Sequence, residues 1–153
     1  MQSQRANTTV ELPSLYDKDL VEWARRSAEL LRAGRFEQAD IEHIAEEIED
    51  MGIRDLRALD SRLEVLLAHL LKWGFQREKR SRSWEKTIAV QRKGVERLLE
   101  RNPSLRRRIK MDLTSNYRFA VRLAAIETGL PKNHFPAECP FTVDQILDPE
   151  FLP

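Results

Sequence analysis

One apolar stripe constrains the fold more than any other feature of the sequence. Between positions 41 and 73, apolar residues recur at helical spacing and, at 100° per residue, fall within an arc of roughly 160°. They are Ile41, Ile44, Ala45, Ile48, Met51, Leu56, Leu59, Leu63, Leu66, Leu67, Leu70 and Trp73. Because the stripe keeps its phase across Gly52, the sequence predicts a single helix over about 41–73, with about 33 residues and a length of ~50 Å.

Gly52 lies inside this apolar arc, where it would permit the close approach of another helix or mark a kink. A preceding helix that folds back along the long one would place Trp23 beside Gly52. Asp40 stands just before the stripe and is expected to cap the long helix.

Three further helices are predicted around the long one, each bounded by a capping or breaking residue. Their expected bounds are Asp17 to Gly34, Ser83 to about Arg101, and Pro103 to Gly129. No stretch alternates with a period of two, so no sheet is expected. Short connections between these helices favour an antiparallel bundle of about four helices, and hence an all-α fold.

The C-terminal segment is rich in proline and must be mostly extended. It is also too apolar for a free tail, so we expect it to pack on the bundle, with one short helix starting at a Thr142–Gln145 capping box. Residues 1–14 are expected to form a flexible leader, and residues 15–153 a single helical-bundle domain.

Charge is distributed unevenly along the 153 residues. Residues 1–71 carry nine Lys/Arg and fifteen Asp/Glu, a net charge of −6, whereas residues 72–122 carry sixteen and five, a net charge of +11. This asymmetry indicates an anionic partner or self-association of acidic with basic segments. Pairing between neighbouring helices within the chain is the alternative.

Cys139 is the single cysteine and is expected to be a reduced, packed thiol. The polar N-terminal residues lack the apolar region of a signal peptide, and no apolar run reaches the ~20 residues of a membrane span. These features predict a cytoplasmic protein without membrane contact.

Several sequence runs resemble one protein family when they are taken together and in order. They are IAEEIEDMG, RALDSRLEVLLAHLLKW, RSRSWEKTIAVQR, NPSL, ETGLP, and FPAECPF followed by QILDPEFLP. They are similar to the bacterial domain-of-unknown-function family twenty-nine, over nearly all of the chain from Tyr16 to Pro153. The resemblance implies a small helical domain of the kind common in cyanobacteria and proteobacteria, and it implies no activity.

Three polar residues are expected to point inward at similar levels of the bundle. A hairpin about residue 79 and a turn about residue 102 would bring His69, Gln91 and Asn116 into one polar layer. Such a layer is costly unless its members bond one another, and it would fix the helix register. The alternative is a small-molecule pocket in which His69 acts as a general base or as a ligand to the bound molecule. His69 is therefore the weak candidate for a catalytic residue.

No metal site or cofactor site is expected. Asp40, His43 and Glu47 share one helix face, but that face lies away from the apolar arc, so we interpret them as solvated charges. The chain has no Glu-x-x-His pair, no phosphate-binding glycine loop and no nucleophile motif. These absences argue against an enzyme, and His69 is the one weak candidate for a catalytic residue.

The strongest local feature is a basic loop ahead of the third predicted helix. Its anion-binding candidates are Arg77, Lys79, Arg80, Arg82 and Ser83. The N–H groups at the start of that helix, those of Trp84, Glu85 and Lys86, would add donors for phosphate or sulfate. The alternative is local neutralisation, with Glu127 pairing with one of the arginines.

Three functions remain open from the sequence. The first is a non-enzymatic protein-interaction module, which would act through a helical face or through the seam between helices that the C-terminal segment covers. Its partner would be another protein or, in a homodimer, a second copy of the chain. The second is binding of nucleic acid or another polyanion through residues 77–82 and the third helix. The third is a small-ligand or enzymatic site around His69.

Overall fold

The computed structural model describes residues 11–153, and all of the regular secondary structure in that range is helical, with no β-strand. Its α-helices are α1 (Leu12–Lys18), α2 (Leu20–Arg32), α3 (Ile41–Phe75), α4 (Arg82–Arg101), α5 (Leu105–Thr128) and α6 (Val143–Leu147). The helices form two compact units, one ending at Ile53 and one running from Arg54 to Pro153, and α3 contributes to both. The prediction of an all-helical chain with one very long helix is confirmed.

Helix α3 has 35 residues and continues through Gly52, as the unbroken apolar phase predicts. Among residues 11–153, no atom outside the adjacent part of α3 lies within 4 Å of the position that a Cβ would occupy at Gly52, so no other helix of this range approaches α3 closely there. Trp23 instead packs near the start of α3, where its indole donates a hydrogen bond to Asp40.

The first unit begins earlier than the sequence predicts. Helix α1 starts at Leu12, with Pro13 in its first turn. Proline fits there because the N–H groups of the first turn have no acceptor within the helix, so the missing N–H of proline costs no hydrogen bond. Asp19 then caps α2 by accepting the Glu22 N–H at 3.0 Å. The predicted leader thus overlaps α1 at residues 12–14, and its first ten residues lie outside the described part of the chain.

The second unit is organised around the C-terminal part of α3. Its fully buried leucines come from that helix and meet apolar residues of α4, α5 and the C-terminal segment. The largest fully buried side chains are Leu59, Leu63, Leu66, Leu67, Leu70, Leu71, Ile88, Val95, Ile109 and Ile146. Each buried leucine stabilises the fold by about 1.5–3 kcal/mol, so this cluster is the principal core.

Side chains also join the helices of the second unit at defined levels. Between α3 and α4, Asn102 donates to Asp55 and Arg62 donates to Gln91. Between α3 and α5, Asn116 donates to Asp60 and Lys72 to Glu127. Polar bonds of this kind fix which turns of two helices face each other.

The C-terminal segment packs on the second unit through both apolar and polar contacts. Phe135, Phe141 and Ile146 are buried in the core cluster. The hydroxyl of Tyr117 donates to the carbonyl of Pro136 at 2.6 Å. The predicted capping box of Thr142 and Gln145 is present at the start of α6.

Candidate functional site

In the first unit, α1 and α2 are attached to α3 by an aromatic and polar cluster. The buried carboxylate of Asp40 accepts the Trp23 indole N–H at 3.0 Å, and its Oδ2 lies 2.7 Å from Nδ1 of His43. Tyr16 stacks on His43 with ring centroids 4.1 Å apart, and its hydroxyl donates to Glu47 at 2.8 Å. We name these five residues the aromatic clasp.

Hydrogen bonding shifts the acidities inside the aromatic clasp. The bond to Asp40 raises the pKa of His43 above its ordinary value. Burial acts to raise the pKa of Asp40, but the bonds from His43 and Trp23 outweigh it, so that pKa lies below its ordinary range. The bond to Glu47, together with burial, raises the pKa of Tyr16 to about 12. The ion pair of Asp40 and His43 is thus favoured.

The clasp occupies the polar face of α3, and the apolar face of the same segment remains uncovered. Ile41 is 52% exposed, Ile48 63% and Met51 57%, and no described residue outside the adjacent part of α3 lies within 4 Å of the position that a Cβ would occupy at Gly52, which follows Met51. These residues belong to the stripe that is buried farther along the helix, from Leu59 onward. We name residues 41, 45, 48, 51 and 52 the α3 stripe.

One edge of the α3 stripe is acidic. Glu42 and Glu49 stand seven residues apart, so both lie along the same side of the helix, and Glu46 lies one turn beyond Glu42. All three are exposed. Within residues 11–153, none of them takes part in an ion pair. The α3 stripe therefore presents an apolar surface beside uncompensated negative charge.

No hydrogen bond joins His69, Gln91 and Asn116 to one another within residues 11–153. His69 is buried and its Nδ1 lies 2.9 Å from the carbonyl oxygen of Val65 in its own helix. Gln91 is half-buried and bonds Arg62, while Asn116 bonds Asp60. Burial lowers the pKa of His69 and favours its neutral form.

The basic loop is partly occupied by contacts within the chain. Arg80 lies over the Trp73 ring, with 5.0 Å between its guanidinium carbon and the ring centroid, and it donates to the main-chain oxygens of Trp73 and Pro153. Arg77, Lys79 and Arg82 are exposed.

Ser81 caps α4 in place of the predicted Ser83. It takes up two of the three N–H groups expected to bind an anion, because its main-chain and hydroxyl oxygens accept from Trp84 and its main-chain oxygen accepts from Glu85. Ser83 lies within the first turn, where its carbonyl accepts the hydroxyl of Thr87.

Glu127 pairs with Lys72 at 2.5 Å, and the predicted pairing with an arginine of the basic loop is wrong. Lys72 lies 4.5 Å from the centroid of the Trp84 ring, and it is buried despite its charge. The sequence pattern gave no sign of this, because Lys72 lies between apolar residues at the end of the long stripe.

Arg92 is the second buried cation of this unit, only 6% exposed, and it was not among the residues predicted from the sequence. A signal was present: Ile88, Arg92, Val95 and Leu99 follow the 4-3-4 spacing of a buried helix face. Its guanidinium donates to the carbonyls of Gln145, Ile146 and Pro149.

The chemistry available within residues 11–153 is limited. No group of three or more His, Cys, Asp or Glu side chains in this range is placed to hold a metal ion. Cys139 is half-buried, and burial raises the pKa of its thiol above the ordinary value. None of the described helices is long and apolar enough to cross a membrane.

Comparison with known proteins gives a family and nothing more specific. No curated protein and no solved structure matches the chain. The model of the family described as "Domain of unknown function DUF29" matches residues 15–152, which is almost the whole of the described chain. The chain therefore belongs to the DUF29 family.

Proposed function

We propose that this chain is a non-enzymatic protein-interaction module of the cytoplasm, and that its binding surface is the α3 stripe. The observation that carries the proposal is the uncovered apolar face at Ile41, Ile48 and Met51, on a helix whose polar face is covered by α1 and α2. Contiguous apolar surface of this kind is typical of protein-binding sites.

The charge beside the stripe indicates the kind of partner. Glu42, Glu46 and Glu49 line one edge, so a partner helix with an apolar face and basic flanking residues would complement both features. Ala45 and Gly52 carry little or no side chain, which allows two helix axes to approach closely.

The scaffold that carries this surface is proposed to be the antiparallel bundle expected from the sequence. Residues with higher numbers on α3 bond residues with lower numbers in and just after α4. Asp55 bonds Asn102, whereas Arg62 bonds Gln91. This order supports an antiparallel α3–α4 pair.

Binding of a polyanion through residues 77–82 has weaker support. Arg80 is engaged by Trp73 and Pro153, and two of the expected backbone donors bond Ser81. Arg77, Lys79 and Arg82 remain as exposed cations.

Two synthetic helical peptides test the proposal directly. Both carry the same leucine face, one with lysine flanks and the other with glutamate flanks. We expect the basic peptide to bind the full chain and the acidic peptide to bind at least about tenfold more weakly, a difference of about 1.4 kcal/mol. Fluorescence anisotropy of labelled peptide at low protein concentration measures both.

Variants of the protein show where the peptide binds. Ile48→Asp should abolish binding of the basic peptide, whereas Val90→Asp, a matched change at an exposed apolar residue of α4, should leave it unchanged. Equal binding of the two peptides, or full binding to Ile48→Asp, would contradict the proposal.

A further inference from the structure

The second unit carries an apolar stripe of its own that is also uncovered. On α5, Met111 is 59% exposed, Phe119 49% and Ile126 80%. Their spacings of eight and seven residues place all three on one side of the helix, with Ser115 and Arg122 between them. We name residues 111, 115, 119, 122 and 126 the α5 stripe.

The α5 stripe has the opposite charge to the α3 stripe. Arg107, Arg118 and Arg122 lie within it or along one of its edges, and all three are exposed. In the described part of the chain, none of them forms an ion pair, whereas Arg108 on the same helix is paired with Asp112. Both uncovered stripes therefore have unpaired charge beside apolar residues, acidic on α3 and basic on α5.

From this complementarity we infer that the partner of the α3 stripe is the α5 stripe of a second copy of the chain. The inference rests on the proposed function, because it names the occupant of the same surface. The two stripes are comparable in length, ~17 Å from Ile41 to Gly52 and ~22 Å from Met111 to Ile126 at 1.5 Å per residue. A helix-on-helix contact can therefore use both along most of their length.

Pairing of two α3 stripes with each other is disfavoured by the same charges. It would bring Glu42 and Glu49 of one copy close to those of the other, and like charges in an interface repel. Pairing of α3 with α5 instead places each acidic edge beside arginines. Such an interface joins two different surfaces, so it either closes into a ring or dimer or extends as a chain.

A pair of blocked variants tests the inference by molar mass. Light scattering after size exclusion should give the wild-type chain a mass above the monomer value of 17.9 kDa, rising with protein concentration. Ile48→Asp removes one surface and Phe119→Asp the other, so each variant alone should be a monomer. Mixing them in equal amounts leaves one intact α3 stripe and one intact α5 stripe, and a 1:1 dimer should form.

The controls separate failure of this inference from failure of the proposed function. Val90→Asp should assemble like the wild type, and circular dichroism should show that all variants remain helical. A wild-type chain that is monomeric at every concentration would overturn the inference, as would a mixture that stays monomeric. If Phe119→Asp still assembles and Ile48→Asp does not, the α5 assignment is wrong while the α3 stripe stands, and the peptide experiment decides the proposed function independently.

Discussion

The Asp40 carboxylate has a central position in the aromatic clasp because it joins two side chains from different elements. Trp23 comes from α2 and His43 from the first turn of α3, and both reach Oδ2. A buried carboxylate is costly unless such bonds compensate its lost hydration. The attachment of α2 to α3 therefore depends on the charge state of this one residue and its histidine partner.

The stability of the clasp should depend on pH through His43. Its pKa is raised in the folded protein, so the stabilising contribution is fully present below the unfolded value of about 6.5 and is lost as pH rises through the folded value. The pKa of Asp40 is lowered, so its contribution is lost only as pH falls through that lower value. We expect the melting temperature to fall as pH rises above about 6.5 and through the raised pKa of His43.

Asp40→Asn tests this assignment, because asparagine retains an oxygen for the Trp23 indole but loses the charge beside His43. The pKa of His43, measured by NMR titration, should then fall toward its ordinary value, and the pH dependence of melting should diminish. An unchanged His43 titration would show that Asp40 does not set it.

Arg92 shows what the sequence could and could not predict at the scale of a residue. Its place in the Ile88–Val95–Leu99 series marks it as inward-facing from the sequence alone. Its partners, however, are carbonyls 53 to 57 residues away, and no local pattern specifies such a contact. The same holds for Lys72 and Glu127, whose pairing depends on tertiary packing.

At the scale of an element, α3 was predictable because periodicity is a property of consecutive residues. The stripe fixed the bounds of the helix within two residues at its C-terminal end. Periodicity does not say what covers each part of a stripe. The sequence indicated burial from Ile41 to Trp73, whereas the segment before Leu59 packs through Asp40, His43 and Glu47 on its other side.

Two helical glycines, Gly52 and Gly94, differ in the space available for a side chain, and this difference can be tested by substitution. Gly52 has open space at its Cβ position, so Gly52→Ala should stabilise the monomeric chain by about 0.5–1 kcal/mol through helix propensity. Gly94 faces the Arg62 guanidinium, which would have to move and weaken its bond to Gln91. Gly94→Ala should therefore gain less than Gly52→Ala, or lose stability. Urea unfolding of both variants in the Ile48→Asp background, where assembly is blocked, measures the difference, and equal gains would contradict it.

At the scale of the whole molecule, the acidic and basic segments of the chain each carry one of the two exposed apolar stripes. The acidic N-terminal segment carries one uncovered stripe and the basic central segment carries the other. The charge asymmetry was visible in the sequence, where it indicated an anionic partner or self-association, with pairing inside the chain as the alternative. The exposure of the two stripes could not be predicted from the sequence, because whether an apolar residue is exposed depends on which residues pack around it in the fold.

Arg92 contributes polar bonds that hold the C-terminal segment on the second unit, beside the apolar contacts of that segment, and substitution of this arginine tests how much they contribute. Arg92→Met keeps the length and apolar stem of the side chain but deletes the donors to the carbonyls of Gln145, Ile146 and Pro149. Buried acceptors left without partners cost about 1–3 kcal/mol, so the free energy of unfolding should fall by that amount. Hydrogen exchange should accelerate in α6 while the buried part of α3 stays protected, because Arg92 bonds the main chain of Gln145 and Ile146 in α6 and not that of α3. Arg92→Lys retains the charge and a single donor group, so it should lie between the wild type and Arg92→Met. Unchanged exchange in α6 of Arg92→Met would mean that the apolar contacts of Phe141 and Ile146 alone hold the segment in place.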